Sequence, residues 1–246
     1  MPAKRVRVDK LLVDRGLVAS RDRARRLVMS GDIWVGEQRL SKPSDLVSVD
    51  AALEVRGADI PFVSRGGLKL QAALDHWHID VHGLAAVDIG ASTGGFTDCL
   101  LQRGARHVYA IDVGYGQFAW TLRQDNRVTL FERANIRGFE PAQLPVALDI
   151  AVIDVSFISL RLVLPTAIRL LCPQGIILPL VKPQFEVGKG EVGKGGVVRD
   201  PVQHDAVVRA IQDCGIALGL QCHGVCPSPL PGPKGNREFF LHFTVP

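Results

Sequence analysis

The chain has 246 residues, of which 47% are hydrophobic and 22% charged, and this globular composition excludes extended disorder. Its net charge of +4 is unevenly spread: residues 1–31 carry nine basic and three acidic side chains, whereas the rest of the chain sums to −2. Such a local basic segment predicts a polyanionic partner. Five scattered cysteines without a Cys-x-x-Cys pair indicate neither a zinc ribbon nor a disulfide framework and favour a reducing compartment.

The hydrophobic pattern before residue 60 predicts a small α+β domain. Its predicted elements are helices over 8–13 and 21–30 and strands over 33–35, 46–49 and 53–55. A linker is expected at about 57–63, so that a domain of residues 1–60 precedes a larger one of residues 64–246.

Beyond the linker, strand and helix patterns alternate. The predicted strands cover 85–89, 107–111, 128–131, 149–153, 176–181, 218–225 and 238–245, and the predicted helices cover 68–77, 95–102, 158–171 and 202–213. Alternating units with nearly continuous apolar strands indicate an α/β fold with a doubly wound, Rossmann-like parallel sheet. The last two strands are consecutive, which predicts an antiparallel edge.

A glycine-rich turn follows the first strand of the larger domain, in the segment Val-Asp-Ile-Gly-Ala-Ser-Thr-Gly-Gly-Phe at 87–96. A dinucleotide fingerprint would need glycine at Ser92 to admit a pyrophosphate. A nucleophile elbow fits Gly-x-Ser-x-Gly around Ser92. A hydrolase also needs a downstream acid and histidine, however, and neither His204 nor His223 lies in a distinctive motif.

Carboxylates near this turn allow a third interpretation. Asp88 precedes the first glycine by two residues, and Asp112 ends the next predicted strand. Acids at strand ends suit a cationic ligand with ribose hydroxyls, which predicts an S-adenosylmethionine site. An ordinary tight turn beside a surface aspartate is the alternative. The residues assigned to the cofactor are Asp88, Gly90, Ala91, Ser92, Thr93, Gly94, Gly95, Phe96, Asp112, Val113, Asn135 and Asp154.

A second glycine cluster at 188–194 matches Gly-x-x-x-x-Gly-Lys. Gly195 stands where a phosphate loop has the Ser or Thr that binds magnesium, and no helix pattern follows at once. An ATP site is therefore not expected. A basic loop that faces the substrate and a plain solvated loop both stay open.

Two lysines and two carboxylates are candidates for proton transfer. Asp154 and Lys182 follow neighbouring apolar strands, so both are expected in the crevice at the carboxyl edge of the sheet. Lys69 begins the second domain and Glu238 opens the last predicted strand. A desolvated lysine can act as a base toward a ribose hydroxyl while the carboxylates orient it. A purely structural ion pair is the alternative, and no ligand cluster suggests a metal.

These motifs resemble those of the TlyA family, whose members are also called haemolysins. The resemblance covers nearly the whole chain and rests on the segments 63–67, 88–96, 112–117, 154–159, 180–186 and 228–233. It implies 2′-O-methylation of cytidine in ribosomal RNA. The related FtsJ-like 2′-O-methyltransferases use a Lys-Asp-Lys-Glu tetrad, which the matching positions supply as Lys69, Asp154, Lys182 and Glu238. Because the chain stops at Pro246 without the further helix of longer members, 23S rRNA is expected rather than 16S rRNA.

The first 60 residues resemble the S4-type RNA-binding fold. The resemblance implies that basic residues of its helix pair contact RNA phosphates. The residues assigned to RNA are Arg5, Arg7, Arg21, Arg23, Arg25, Arg26 and Arg65.

Two other function classes stay open. A catalytically silent RNA-binding or ribosome-assembly factor would keep the basic helices without chemistry in the crevice. A pore-forming haemolysin is least favoured, because neither a secretory signal nor an uninterrupted apolar stretch of about 20 residues is found. We expect a cytoplasmic protein that acts on rRNA as a monomer or weak dimer. It is expected to bind no metal and to have no membrane partner.

Overall fold

The computed structural model describes residues 5–18, 20–56, 60–188, 192–193 and 195–246. Contacts between residues divide the chain into two units, Met1–Pro61 and Phe62–Pro246. Residues 57–59 of the predicted linker lie outside the described residues.

The described part of the first unit contains a helix pair and short strands. The elements are β1 (Arg5–Arg7), α1 (Val8–Asp14), α2 (Arg21–Ser30), β2 (Ile33–Val35), β3 (Gln38–Leu40), β4 (Leu46–Ser48) and β5 (Leu53–Val55). Strand β1 pairs with β4, and β2 lies between β3 and β5, all antiparallel. Ser20 caps α2 by accepting a hydrogen bond from the backbone N–H of Arg23, and Gly31 ends the helix in the left-handed conformation. Leu12, Val28 and Ile33 form its buried core.

The second unit alternates strands and helices. Its elements are α3 (Gly66–His76), β6 (Ala85–Ile89), α4 (Gly95–Gln102), β7 (His107–Ile111), α5 (Trp120–Arg123), β8 (Val128–Phe131), β9 (Leu148–Ile153), α6 (Leu164–Arg169), β10 (Leu171–Val181), α7 (Pro183–Glu186), α8 (Pro201–Ala217), β11 (Gln221–Pro227) and β12 (Phe239–Thr244). The strands form one sheet in the order β11-β12-β10-β9-β6-β7-β8. The pairs from β10 to β8 are parallel, whereas β12 is antiparallel to both β10 and β11.

This sheet confirms the predicted doubly wound α/β fold with an antiparallel edge. Its core joins the central strands to α6 and α8, and includes Ile89, Ile111, Ile153, Ala167 and Ile211. Alternating strands and helices place the carboxyl ends of the parallel strands at one edge, where open α/β sheets bind their ligands.

The helix predicted over 158–171 is wrong. A 3-10 turn covers Leu160–Leu162, the helix α6 covers only Leu164–Arg169, and Leu171 already belongs to β10. Pro165 stands in the first turn of α6, where its missing N–H leaves no helical hydrogen bond unmade. The apolar run is therefore divided between a turn, a short helix and a strand.

Other boundaries also move. Helix α8 continues to Ala217, so the strand predicted from residue 218 begins only at Gln221. Strands β1 and β3 were not predicted, because each has three residues and carries mainly polar side chains. In the part of the chain that the structure describes, no helix combines the length and the apolar character that crossing a bilayer requires.

Candidate active site

The carboxyl ends of neighbouring strands meet at one edge of the sheet. Strand β6 lies between β7 and β9, and β10 lies beside β9. The last residue of β6 pairs with the last residues of both β7 and β9. Consequently Asp112 and Asp154, the residues after β7 and β9, leave the sheet at the same level, and Lys182 follows β10.

The glycine-rich turn lies directly against the loop that follows β9. Gly90 has a φ of +87°, and a Cβ atom there would lie 2.6 Å from the backbone oxygen of Asp154. Gly94 has a φ of +92°, and a Cβ atom there would lie 2.5 Å from Leu122 Cδ1. Only glycine combines these conformations with such close approaches. Gly90 therefore lets the turn approach the Asp154 loop, and Gly94 lets it approach Leu122.

A cavity of about 370 Å³ contains the four charged residues predicted for proton transfer. Lys182 Nζ lies 2.6 Å from Asp154 Oδ1 and donates to Ser156 Oγ at 2.9 Å. Lys69 Nζ lies 2.5 Å from Glu238 Oε2. The side chains of Lys69 and Lys182 are only 12% and 9% exposed, so both ammonium groups are largely removed from water. A hydroxyl that enters this cavity thus meets two desolvated lysine–carboxylate pairs.

Glu238 reaches the cavity through a turn that precedes β12. The backbone N–H of Ser228 donates to the backbone oxygen of Glu238 at 2.9 Å. A Cβ atom on Gly232 would lie 1.9 Å from Glu238 Oε1, so a larger residue there would displace the carboxylate from its present position. The segment at 228–233 therefore holds Glu238 against Lys69.

A second cavity of about 440 Å³ adjoins the first. The Asp112 carboxylate lies in its wall and accepts hydrogen bonds from the backbone N–H groups of Ser92 at 2.7 Å and Gly114 at 2.6 Å. Asn135 also lines it, and its Oδ1 accepts from the N–H of Arg137. The lining residues common to both cavities are Gly90, Ser92, Asp154 and Ser156.

Asp88 is fully buried beneath the first cavity. Its Oδ2 accepts hydrogen bonds from the backbone N–H of Thr97 at 2.9 Å and from Thr97 Oγ1 at 2.7 Å, whereas its Oδ1 has no hydrogen-bond partner among the described residues. Burial raises the pKa of Asp88 to about 7, and the negative charge of Asp154 adds to this rise. A positively charged ligand would relieve both effects. The carboxyl groups of Asp88, Asp112 and Asp154 therefore fit a ligand that combines a cation with hydroxyl groups.

Known proteins share these features. The family described as FtsJ-like methyltransferase matches residues 62–245, and the S4 domain family matches residues 6–53. The chain is 49% identical over 240 residues to the 16S/23S rRNA (cytidine-2′-O)-methyltransferase TlyA of Mycobacterium tuberculosis. The aligned region covers 97% of this chain and 90% of that relative. This chain belongs to the TlyA group of FtsJ-like methyltransferases.

Two further relatives confirm the predicted membership of the TlyA family. YqxC of Bacillus subtilis, provisionally named an rRNA methyltransferase, is 48% identical over 247 residues, which cover 100% of this chain and 88% of YqxC. A solved structure from Streptococcus thermophilus with the provisional name hemolysin is 41% identical and has a TM-score of 0.78. It covers 98% of this chain, which in turn spans 88% of it.

The residues predicted for the cofactor divide between the two cavities of this TlyA-family methyltransferase. Those that line the first cavity are Asp88, Gly90, Ala91, Ser92, Thr93, Gly95, Phe96 and Asp154. Those that line the second are Gly90, Ser92, Asp112, Val113, Asn135 and Asp154. Gly94 lines neither of these cavities, and a Cβ atom there would meet the side chains of Phe118 and Leu122.

The arginines predicted to bind RNA differ in their hydrogen-bond and ion-pair partners. Arg5 donates to the backbone oxygen of Leu46 at 2.8 Å, and Arg23 donates to that of Ile60 at 2.7 Å, so both also hold the S4 domain together. Those that surround the buried carboxylate of Asp9 are Arg7, Arg21 and Arg25. Arg65 lines the first cavity of the methyltransferase unit. The side chain of Arg26 lies outside the described part of the chain.

The nucleophile-elbow interpretation is not supported. Ser92 has the positive φ of +49° that such an elbow requires. His204, however, is buried and donates from Nε2 to the backbone oxygen of Val198, and His223 hydrogen-bonds to Thr244 Oγ1. The described residues thus assemble no Ser–His pair. They also contain no group of three or more His, Cys, Asp or Glu that could hold a metal ion.

Most of the second glycine cluster cannot be placed, because residues 189–191 and 194 lie outside the described residues.

Sequence reasoning missed several residues of the site. Ser156 accepts a hydrogen bond from Lys182, Thr97 holds Asp88, and Gly232 makes room for Glu238. Ser156 and Gly232 lie inside segments that carry the family resemblance, which is the signal that pointed toward them.

Stability should depend on pH through Asp88. The unfolded carboxyl releases its proton near pH 4, whereas the folded one keeps it up to about pH 7. Between these values the folded state binds one proton more, so its stability falls as pH rises, by up to about 1.4 kcal/mol per pH unit. We expect Asp88→Asn, which stays neutral, to gain stability relative to the wild type from pH 4 to pH 7 and to show no further gain above that range.

Urea denaturation of the wild type and Asp88→Asn at several pH values measures this difference. The ionisation of every other group cancels in the comparison. A difference in unfolding free energy that stays constant between pH 4 and pH 7 would contradict the assignment of a raised pKa to Asp88.

Proposed function

We propose that this methyltransferase transfers a methyl group from S-adenosylmethionine to the 2′-oxygen of a cytidine ribose in ribosomal RNA. One observation carries the proposal: two desolvated lysine–carboxylate pairs line a cavity that shares Asp154 with a second cavity bearing Asp112. This arrangement suits a donor in one cavity and a hydroxyl acceptor in the other.

The second cavity would hold the donor. Asp112 keeps acceptor lone pairs beyond its two backbone hydrogen bonds and can bind the ribose hydroxyls of the donor. Asn135 would meet the adenine at the cavity wall. S-adenosylmethionine supplies a methyl group activated by a positively charged sulfur. Its sulfur would lie where the two cavities meet, so that Asp154, which lines both, and Asp88, which lines the first, would favour the positive charge.

The first cavity would hold the acceptor. Lys182 is our candidate base for the proton of the 2′-hydroxyl: its neutral amine would accept that proton, and the ammonium so formed would be stabilised by Asp154 and Ser156, which Nζ contacts. Asp154 would orient Lys182. Lys69, held by Glu238, would place a second positive charge beside the oxygen that loses its proton. Since the methyl group is already activated, in-line positioning supplies much of the remaining rate.

The S4 domain would bind the RNA. Its family match covers residues 6–53, and the segment 1–31 has a net charge of +6, whereas the rest of the chain sums to −2. The M. tuberculosis relative is named for action on cytidines of both 16S and 23S rRNA. We extend the proposal to 23S rRNA as the target, in the cytoplasm, with the protein acting as a monomer or weak dimer.

Methyl transfer to purified RNA tests the proposal. The full chain is incubated with labelled S-adenosylmethionine and with unmodified 23S or 16S rRNA in separate reactions. We expect label in 23S rRNA, with 2′-O-methylcytidine as the product after digestion to nucleosides. Calorimetry with S-adenosylmethionine alone gives the affinity for the donor. Tight RNA binding without donor binding or methyl transfer would instead identify a catalytically silent RNA-binding factor.

A further inference from the structure

Asp9 is a fully buried carboxylate at the centre of a cluster of arginines in the S4 domain. Its Oδ1 and Oδ2 accept hydrogen bonds from Arg7 Nε and Nη2, each at 2.9 Å. Arg21 Nη2 lies 3.1 Å and Arg25 Nε 3.5 Å from Oδ2. The cluster joins the end of β1, the first turn of α1 and the first two turns of α2. It therefore gathers three arginine side chains around one carboxylate.

The arginines of this cluster remain accessible while the carboxylate does not. The Asp9 side chain is 0% exposed, whereas those of Arg7, Arg21 and Arg25 are 44%, 52% and 49% exposed. The guanidinium groups of Arg7 and Arg21 hold the pKa of Asp9 well below its usual range, so Asp9 is ionised at neutral pH. The three arginines thus present half-exposed guanidinium groups around one buried carboxylate.

We propose that Asp9 is a positioning residue that builds Arg7, Arg21 and Arg25 into a single phosphate-binding site for the RNA backbone. The inference rests on the proposed RNA substrate. A guanidinium group carries five N–H donors, of which Asp9 engages two on Arg7 and one on Arg21, and its planar shape binds phosphate with paired hydrogen bonds. Arginines already held by Asp9 lose less conformational freedom when they bind than free ones would.

Removal of the Asp9 charge separates positioning from plain electrostatics. Asp9→Asn keeps the size of the side chain but makes the domain more positive by one charge. If the arginines act only as diffuse positive charge, this variant binds RNA more tightly. If Asp9 positions them, the weakened amide contacts let the guanidinium groups move apart. We then expect RNA binding to become about tenfold weaker in spite of the added positive charge.

Asp14→Asn is the matched control. Asp14 is exposed at the end of the same helix, so its substitution changes the charge equally without touching the cluster. The full-length wild type and both variants are titrated with unmodified 23S rRNA between about 50 mM and about 200 mM salt. We expect Asp14→Asn to bind at least as tightly as the wild type. For Asp9→Asn we also expect a shallower dependence of affinity on salt, because fewer phosphates are contacted at once.

Native folding of each variant is checked by its amide NMR spectrum and by its affinity for S-adenosylmethionine. If Asp9→Asn loses the native spectrum, Asp9→Glu replaces it, because this variant keeps the charge and displaces the carboxylate by one methylene group; it too should bind RNA more weakly. A natively folded Asp9 variant that binds as tightly as Asp14→Asn would overturn the inference alone. A wild-type chain that binds no 23S rRNA would overturn the proposed substrate and this inference with it.

Discussion

Substitution of Lys182 by methionine should lower the rate of methyl transfer by about 10²–10⁴-fold, the contribution typical of a general base. Methionine fills similar space but neither accepts a proton nor contacts Asp154 electrostatically. The side chain of Lys182 is 9% exposed and lines the cavity proposed for the acceptor, so water cannot readily replace its ammonium group. Single-turnover methylation of 23S rRNA measures the effect on the chemical step.

Lys182→Arg distinguishes the base from a mere positive charge. Arginine keeps the charge beside Asp154 but stays protonated at any accessible pH. We expect it to be nearly as inactive as methionine, while donor affinity and the unfolding midpoint stay close to those of the wild type. Full activity in Lys182→Arg would show that only the charge matters, and unchanged activity in Lys182→Met would remove Lys182 from the mechanism.

Lys69→Met should destabilise the methyltransferase unit by about 3–5 kcal/mol, because it leaves a buried carboxylate without its partner. The Glu238 side chain is 0% exposed and its Oε2 lies 2.5 Å from Lys69 Nζ. Urea denaturation followed by tryptophan fluorescence measures the loss. In a Trp34→Phe background the signal comes from Trp77 and Trp120, which both belong to this unit.

The double variant Lys69→Met/Glu238→Gln is the control for that prediction. It removes the charge that Lys69 neutralises, so we expect most of the lost stability to return although methyl transfer remains weak. Equal destabilisation in the single and double variants would mean that Lys69 stabilises the unit by packing rather than by compensating Glu238.

The inner part of the sheet could be predicted from the sequence because strands such as β6 and β7 are almost entirely buried and consist of nearly continuous apolar residues. The strands predicted at 85–89, 107–111 and 128–131 have the bounds observed for β6, β7 and β8. The positions of the charged residues after such strands could be predicted for the same reason, since the carboxyl ends of parallel strands lie at one edge of the sheet. This is why Asp112, Asp154 and Lys182 could be assigned before their positions were known.

What the sequence did not reveal depends on contacts between distant residues. Pro165 within the apolar run at 158–171 is compatible with the start of α6, but the early end of that helix follows from the pairing of Leu171 with Leu148 in the sheet. Similarly, nothing in the pattern of α1 marks Asp9 as buried, because its burial requires arginines of other elements. Arg23 was assigned to RNA alone, yet it also binds the backbone of Ile60, 37 residues away.

The pair of Lys69 and Glu238 joins residues 169 positions apart. Contacts between such distant positions close late, after the entropy of a very long loop has been overcome. Glu238 directly precedes β12, which pairs with β10 although α7, α8 and β11 lie between these two strands in the chain. Half-folded chains would accordingly have an incomplete set of charges around the acceptor, so the onset of catalysis would report the final folding step of this unit.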